Sequence, residues 1–180
     1  MSNRFIQGKG YTQVYTGDGK GKTTAALGLA FRAMGCGMKT YIGQFMKGQK
    51  YNELNAARMC PGRIIIEQYG KDTFVHVRKP PDPEDVEMAK SGYEKIKKAM
   101  FSGIYNIVVA DEIITSHYFN LISTKDILKL VAKKPREVEF IMTGRYAPQE
   151  IIEAVDLVSE MREIKHYYHS GAQAREGIER

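Results

Sequence analysis

The chain of 180 residues has no tryptophan, only two cysteines and no apolar run long enough to cross a membrane. Cys36 and Cys60 lie too far apart for a compact zinc site, and two thiols do not make a disulfide framework. Residues 104–110 are the longest apolar candidate, well below the roughly 18 residues that a membrane helix needs. Residues 1–9 lack the apolar core of a signal peptide. These absences predict a cytoplasmic protein with reduced thiols and no membrane partner.

Acidic residues are outnumbered, since 27 lysines and arginines face 21 aspartates and glutamates, a net charge of +6. A basic surplus suits an anionic partner without choosing which one. The densest basic clusters, residues 95–98 and 133–136, are typical of solvated helix surface, and no aromatic-studded basic stretch accompanies them. We therefore predict no nucleic-acid partner, and keep a nucleotide-dependent binding module as an alternative.

Apolar runs of strand length alternate with helical patterns along the chain. Strands are predicted over residues 11–16, 39–45, 63–69, 106–111, 137–143 and 157–162. Helices are predicted over residues 22–34, 51–60, 125–132 and 149–155, with another that starts at Pro83 and ends at Gly103. The alternation predicts a single α/β domain over residues 1–180, with a mainly parallel sheet of about six strands and helices on both faces. Within this range, residues 1–10 are expected to form a flexible N-terminal segment.

Ligands of such sheets bind where the parallel strands end. The chemistry is therefore expected just after Thr16, Phe45, Tyr69, Asp111 and Thr143.

A glycine-rich turn follows the first predicted strand and opens the first predicted helix. Its Gly21-Lys22-Thr23 fits the end of the phosphate-loop pattern Gly-x-x-x-x-Gly-Lys-Ser/Thr, although Thr16 takes the first position and the glycine follows at Gly17. Backbone N–H groups and the helix N-terminus can surround an anion there. We predict a P-loop NTPase-like (RecA-like) fold that binds ATP through Gly17, Asp18, Gly19, Lys20, Gly21, Lys22, Thr23 and Thr24. A glycine-rich turn without a ligand is the alternative.

Asp111 and Glu112 end a strongly apolar predicted strand and supply the acidic half of a magnesium–nucleotide site. Thr23 is expected to bind Mg²⁺ together with Asp111 or Glu112, and Lys22 to contact phosphate oxygens. Lys22 and Glu112 are the predicted catalytic residues. An acidic N-cap of the next helix is the alternative for the carboxylates.

Most phosphate-loop proteins transfer or hydrolyse the terminal phosphoryl group. A kinase needs a lid that carries arginines, and the candidates Arg136 and Arg145 are sparse. A small-molecule kinase or NTPase therefore stays open as an alternative.

Several segments together carry a family resemblance. They are residues 16–26, 32–35, 44–48, 111–112, 143–145, 160–161, 165–166 and the tail 171–179. Over roughly residues 10–180 the chain resembles the ATP:corrinoid adenosyltransferases of the CobA/BtuR type, and the displaced first glycine is a feature of that family.

The resemblance implies an alkyl transfer from ATP to cobalt. The Co(I) of a reduced corrinoid attacks the 5′ carbon of ATP and triphosphate leaves, in the biosynthesis or salvage of adenosylcobalamin. Because Co(I) is itself the nucleophile, the protein need supply only orientation and electrostatics. The resemblance also implies Mg²⁺, a reduced flavoprotein such as flavodoxin as electron donor, and a homodimer.

The corrinoid contacts are implied by the same resemblance. The family has an aromatic pair in the loop after the third strand, where this chain has Phe74 at one position and Asp72 at the other. We predict corrinoid contacts from Tyr69, Phe74, Arg32 and Arg145. Ordinary packing is the alternative for the aromatic residues, and surface ion pairs for the arginines.

Overall fold

The computed structural model describes residues 8–72 and 81–179. Its strands are β1 (Thr12–Thr16), β2 (Thr40–Phe45), β3 (Ile64–Tyr69), β4 (Ile107–Asp111), β5 (Glu139–Thr143) and β6 (Leu157–Glu160). Its helices are α1 (Lys22–Gly35), α2 (Asn52–Met59), α3 (Pro83–Phe101), α4 (Ile113–Tyr118), α5 (Thr124–Lys133) and α6 (Gln149–Ala154). A 3₁₀ turn, Tyr167–Ser170, lies in the tail that follows β6.

The six strands form one sheet in the order β3-β2-β4-β5-β1-β6, and every neighbouring pair is parallel. The predicted α/β architecture with a mainly parallel sheet is confirmed. Strands β1 and β4 flank β5, so the turn after β1 and the carboxylates after β4 end at the same edge of the sheet. The topology therefore joins the two halves of the predicted nucleotide site.

Both faces of the sheet are covered, which explains the continuous apolar run of β4. Val108 and Ala110 face the core formed with helices α3 to α6. Ile107 and Val109 face α1, whose inner side presents small alanines. Small residues let α1 lie close to the sheet, and this fixes the start of α1 beside the strand ends.

Two helices show where local sequence decides the structure and where packing does. Asp82 caps α3, because its side chain accepts a hydrogen bond from the N–H of Glu84 at 2.9 Å. Helix α4 was not predicted, since Ile113, Ile114 and Thr115 are β-branched and have low helix propensity. Both isoleucines are fully buried, so packing against the sheet holds this short helix.

The N-terminal segment is anchored at its end. The N–H of Gly10 donates to the carbonyl of Arg136 at 2.7 Å, and Gly10 is buried. The first seven residues of the predicted flexible segment 1–10 lie outside the described residues. Over the described part of the chain, no helix combines the length and apolar content that a bilayer span requires.

Candidate active site

The turn between β1 and α1 is a tight loop, and at two of its positions the backbone takes a conformation that favours glycine. Gly17 and Gly21 have positive φ angles of 98° and 121°. A Cβ at Gly17 would lie 2.4 Å from the carbonyl oxygen of Met161. The N–H of Gly19 donates to that same oxygen at 2.7 Å. The segment after β6 therefore holds the outside of the loop and leaves its inner side for a ligand.

Lys22 lies at the centre of this loop. Its side chain is buried, with the residue only 6% exposed. The ammonium donates to the carbonyl oxygens of Gly17 and Gly19, both at 2.7 Å. Burial lowers the pKa of Lys22, and the nearby charge of Glu112 offsets this only in part. The loop thus holds a positive charge in place before any ligand arrives.

Asp111 is fully buried and accepts four hydrogen bonds. Its Oδ1 accepts from the hydroxyls of Thr23 at 2.8 Å and Thr143 at 2.6 Å. Its Oδ2 accepts from Lys47 Nζ at 2.8 Å and Gln44 Nε2 at 3.2 Å. Burial alone would raise the pKa of Asp111, but the charge of Lys47 and these hydrogen bonds outweigh burial and lower it. Asp111 therefore stays ionised and fixes the Thr23 hydroxyl.

Lys47 is the site residue that sequence reasoning missed. It follows β2, directly after Met46, whose φ of 57° is unusual for a residue other than glycine. Its Nζ also lies 3.9 Å from a Glu53 oxygen and 5.2 Å from the centre of the Tyr51 ring. Burial would lower the pKa of Lys47, yet the charge of Asp111 outweighs it and the pKa is raised. The sequence carried two signals for it: its place just after a strand, and its position in residues 44–48, one of the segments that carry the family resemblance.

Glu112 takes a left-handed conformation, with φ 62°, at the start of α4. Its N–H donates to the Thr143 hydroxyl at 2.9 Å, and its carboxylate accepts a hydrogen bond from the Thr115 hydroxyl. Although it occupies the N-cap position, its side chain makes no capping hydrogen bond. The carboxylate instead lines the cavity above the loop.

The loop, the strand ends and the tail enclose a cavity of about 530 Å³. Small-molecule sites typically measure roughly 300–1,000 Å³. The predicted site residues on its wall are Asp18, Gly19, Lys20, Gly21, Lys22, Thr23, Thr24, Glu112 and Arg145. Gly17 and Asp111 lie behind this wall and act on it through Lys22 and Thr23.

The tail closes one side of the cavity, where three of its residues form a hydrogen-bonded group with Lys20 of the phosphate loop. We call this group the carboxylate clasp: Lys20, Tyr167, Arg175 and Glu179. Lys20 Nζ donates to Glu179 Oε1 at 2.7 Å and to the Tyr167 hydroxyl at 2.8 Å. Arg175 Nη2 donates to the same Glu179 oxygen at 3.2 Å. Arg175 and Lys20 hold the pKa of Glu179 well below its usual range. Sequence reasoning gave the tail no role in the site, because this contact joins residues 159 positions apart.

Replacing Glu179 by glutamine is expected to loosen the tail, because a neutral amide loses the charge attraction of Lys20 and Arg175. We expect trypsin to cleave after Arg175 at least roughly threefold faster, and KM for ATP to rise by a similar factor. Timed proteolysis and initial rates measure the two effects. Glu150→Gln, an exposed substitution on α6, is the matched control. Unchanged cleavage of Glu179→Gln would show that the clasp does not hold the tail.

The predicted corrinoid contacts are not brought together. Tyr69 is buried, and its hydroxyl is hydrogen-bonded to the hydroxyl of Tyr41. The centre of its ring lies 5.5 Å from the centre of the Phe45 ring. These contacts favour ordinary packing as the role of Tyr69. Arg32 lines a separate cavity, ten residues beyond Lys22 on α1 or about 15 Å along the helix. Phe74 lies outside the described residues. Of the three predicted contacts that the structure describes, Arg145 lines the cavity above the loop and the other two do not.

Comparison with known proteins matches nearly the whole chain. A family model described as ATP:corrinoid adenosyltransferase BtuR/CobO/CobP matches residues 8–180. A corrinoid adenosyltransferase of Sinorhizobium sp is 33% identical over 178 residues, which cover 95% of this chain and 80% of that protein. The corrinoid adenosyltransferase of Escherichia coli K12 is 29% identical over 176 residues, with 95% and 86% covered.

Among solved structures, a KaiC-like protein of Pyrococcus horikoshii OT3 superposes with a TM-score of 0.60. It is 16% identical, and the match covers 87% of this chain and 75% of that one. At this identity the likeness concerns the fold alone, and it confirms the predicted P-loop NTPase-like fold.

Proposed function

Since the chain belongs to the BtuR/CobO/CobP family of ATP:corrinoid adenosyltransferases and adenosylates corrinoids with ATP, we propose that its phosphate loop holds the departing triphosphate. The observation that carries this proposal is the position of Lys22. Its ammonium donates hydrogen bonds to two carbonyl oxygens of the loop and lies beside the N-terminus of α1. Oxygens of a phosphate chain can replace those carbonyls as acceptors without moving the charge.

The reaction forms a cobalt–carbon bond and breaks the bond between the 5′ carbon and its ester oxygen. Co(I) provides the electron pair and becomes Co(III), while the triphosphate leaves with the electrons of the broken bond. Negative charge therefore grows on the leaving oxygen. Lys22 and the loop N–H groups stabilise that charge, because they are already oriented and need no reorganisation.

The residues present fit Mg²⁺. The Thr23 hydroxyl and the Glu112 carboxylate offer hard oxygen ligands at the cavity, and Asp111 orients Thr23 from behind. No cluster of three His, Cys, Asp or Glu side chains suited to a metal occurs in residues 8–72 and 81–179. This suits Mg²⁺, which commonly takes one or two protein ligands and completes its shell with phosphate and water. When bound, it would neutralise phosphate charge.

Further roles are proposed on the family likeness. They are a reduced flavoprotein such as flavodoxin as electron donor, a homodimer, a cytoplasmic location and one domain over residues 1–180. Arg145 is retained as a phosphate or corrinoid contact because it lines the cavity. Phosphoryl transfer, ATP hydrolysis and a pure binding role are not favoured, since the family and its relatives are adenosyltransferases.

Product analysis tests the proposal. The protein is incubated with Mg-ATP and chemically reduced cob(I)alamin, the absorbance of the corrinoid is followed, and triphosphate and ADP are assayed. We expect one triphosphate for each adenosylcobalamin. Release of ADP without any need for corrinoid would instead identify a kinase or NTPase.

A further inference from the structure

Among residues 8–72 and 81–179, the cavity has room for one nucleotide and leaves no room inside it for the second substrate. Its volume of about 530 Å³ suits a nucleotide, and a corrinoid is larger than a nucleotide. Resting on the proposed function, the corrinoid must therefore approach the 5′ carbon of ATP from the rim of the cavity. The predicted contacts Tyr69 and Arg32 lie away from that rim.

Two exposed tyrosines follow residues of the cavity wall in the chain, since Tyr146 comes directly after Arg145 and Tyr118 lies six residues after Glu112. The rings of Tyr118 and Tyr146 lie with centroids 4.3 Å apart and planes tilted by 36°, and the residues are 50% and 55% exposed. We call this pair the tyrosine platform. Tyr146 directly follows Arg145, which lines the cavity. A stacked aromatic pair that stays half in solvent is a ready surface for a flat ligand.

The platform is joined to the catalytic edge through α4. Glu112, Thr115 and Tyr118 are spaced three residues apart and so share one face of the helix. Thr115 donates to the Glu112 carboxylate and accepts the N–H of Arg145 at 2.9 Å. Tyr118 lies about 9 Å along the helix from Glu112. These hydrogen bonds of Thr115 link Glu112 and Arg145, two residues of the cavity wall, through the helix that ends at Tyr118.

The backbone holds Tyr146 in an unusual conformation. Its φ of 62° lies in the left-handed region, which a bulky residue rarely adopts. Gly144 anchors the turn, since a Cβ there would lie 2.5 Å from the backbone nitrogen of Thr115. Met46 and Glu112 show the same left-handed conformation at the ends of β2 and β4, beside the cavity. Such backbone conformations cluster at functional sites.

We propose that the tyrosine platform, together with Arg145, is the docking surface for the corrinoid. One apolar face of the macrocycle lies on the exposed tyrosine ring. The guanidinium of Arg145 donates to amide oxygens at the edge of the macrocycle. This places the corrinoid at the mouth of the cavity while the phosphate loop keeps the triphosphate at its floor.

Tyr146→Gly tests the platform without forcing the backbone, because glycine accepts the positive φ. We expect KM for cob(I)alamin to rise roughly fivefold to tenfold, while KM for ATP stays within about twofold. The matched control is Phe101→Ala, at the C-terminal end of α3, where an aromatic residue is also 50% exposed. It should change neither constant.

Binding can be read without turnover, because the chain contains no tryptophan. Tyr118→Trp places a single tryptophan in the platform, Phe101→Trp places one outside it, and excitation near the red edge of the absorption band selects tryptophan over the 11 tyrosines of the wild-type chain. Hydroxocobalamin should quench the first at concentrations several-fold lower than the second. Adding Tyr146→Gly to Tyr118→Trp should weaken that quenching.

The outcomes separate the platform from the proposed function. If the wild-type protein makes adenosylcobalamin but Tyr146→Gly keeps its KM for corrinoid, the platform is wrong and the function stands. If Tyr146→Gly raises KM for ATP alone, the rings bind the adenine base, which also overturns the platform. If the wild type makes no adenosylcobalamin, the proposed function itself fails.

Discussion

Replacing Lys22 by methionine is expected to lower kcat/KM for ATP by about 10²–10³-fold, the usual cost of removing one preorganised donor to a developing charge. The loss arises because the loop N–H groups remain but the buried ammonium is gone. The rate of adenosylcobalamin formation, followed by absorbance at saturating cob(I)alamin, measures the effect.

The stability of the same variant shows whether the loss is chemical. Burial lowers the pKa of Lys22, so the charged form is less favoured in the folded than in the unfolded protein. This cost is complete below the folded pKa, decreases as pH rises from the folded to the unfolded pKa, and is absent above the unfolded value. Methionine removes the cost, so the urea midpoint at pH 7 should not fall. Lys129→Met, on the exposed face of α5, should leave activity unchanged and lower the midpoint only slightly, because it breaks an exposed ion pair with Asp126. Activity of Lys22→Met within threefold of wild type would contradict the role of Lys22.

Replacing Asp111 by asparagine is expected to lower the free energy of unfolding by about 3–5 kcal/mol, as when one partner of a buried ion pair is removed. Asp111 is fully buried, and the change removes the nearer of the two carboxylates that face Lys47, leaving only the more distant Glu53. The amide oxygen can still accept from Thr23 and Thr143. However, the amide NH₂ cannot accept from Lys47 Nζ and Gln44 Nε2 as Oδ2 does. Urea denaturation measures the stability, and the adenosylation rate should fall because the Thr23 hydroxyl then bonds to a neutral oxygen instead of a charged one.

Asp126→Asn is the matched control for Asp111. Asp126 pairs with Lys129 at 2.8 Å but lies at the surface, so its change should cost less than about 1 kcal/mol.

The pH dependence of the free energy of unfolding is a second test of the role of Asp111. The pKa of Asp111 is lowered in the fold, so its contribution is complete above the unfolded value of about 3.9 and is lost as pH falls through the folded value. A variant as stable as wild type would disprove the buried pair.

The strands could be predicted because a strand that is buried on both faces has a continuous run of apolar residues in its sequence. The β4 run Ile107 to Ala110 is such a case, and glycine or proline marks most of the turns around it. The phosphate loop could be predicted because Gly21-Lys22-Thr23 combines backbone freedom, charge and a hydroxyl within three residues. Both signals are local, so one sequence sufficed.

The remaining features depend on neighbours that are distant in sequence. Lys47 meets Asp111 across 64 residues because β2 pairs with β4, and no local pattern gives that pairing. From the sequence, Tyr69 could equally be a core residue or a ligand contact, because both roles use an aromatic side chain. Its position in the core cluster of the folded chain favours packing. The platform forms because the turn after β5 meets the end of α4, a helix that local propensity did not predict.

The contact between the phosphate loop and Met161 has a consequence for synthesis of the chain. The loop is made before Met161, to whose carbonyl Gly19 bonds, and Asp18 accepts from the N–H of Glu163, 145 positions later. At roughly 5–20 residues per second, the ribosome takes about 7–30 s to add that stretch. For most of that time β1 lacks β5 and β6, between which it lies, because β5 is complete only at Thr143 and β6 at Glu160, and its edges stay open to wrong pairing until then. Nascent chains should therefore depend on chaperones until the tail emerges.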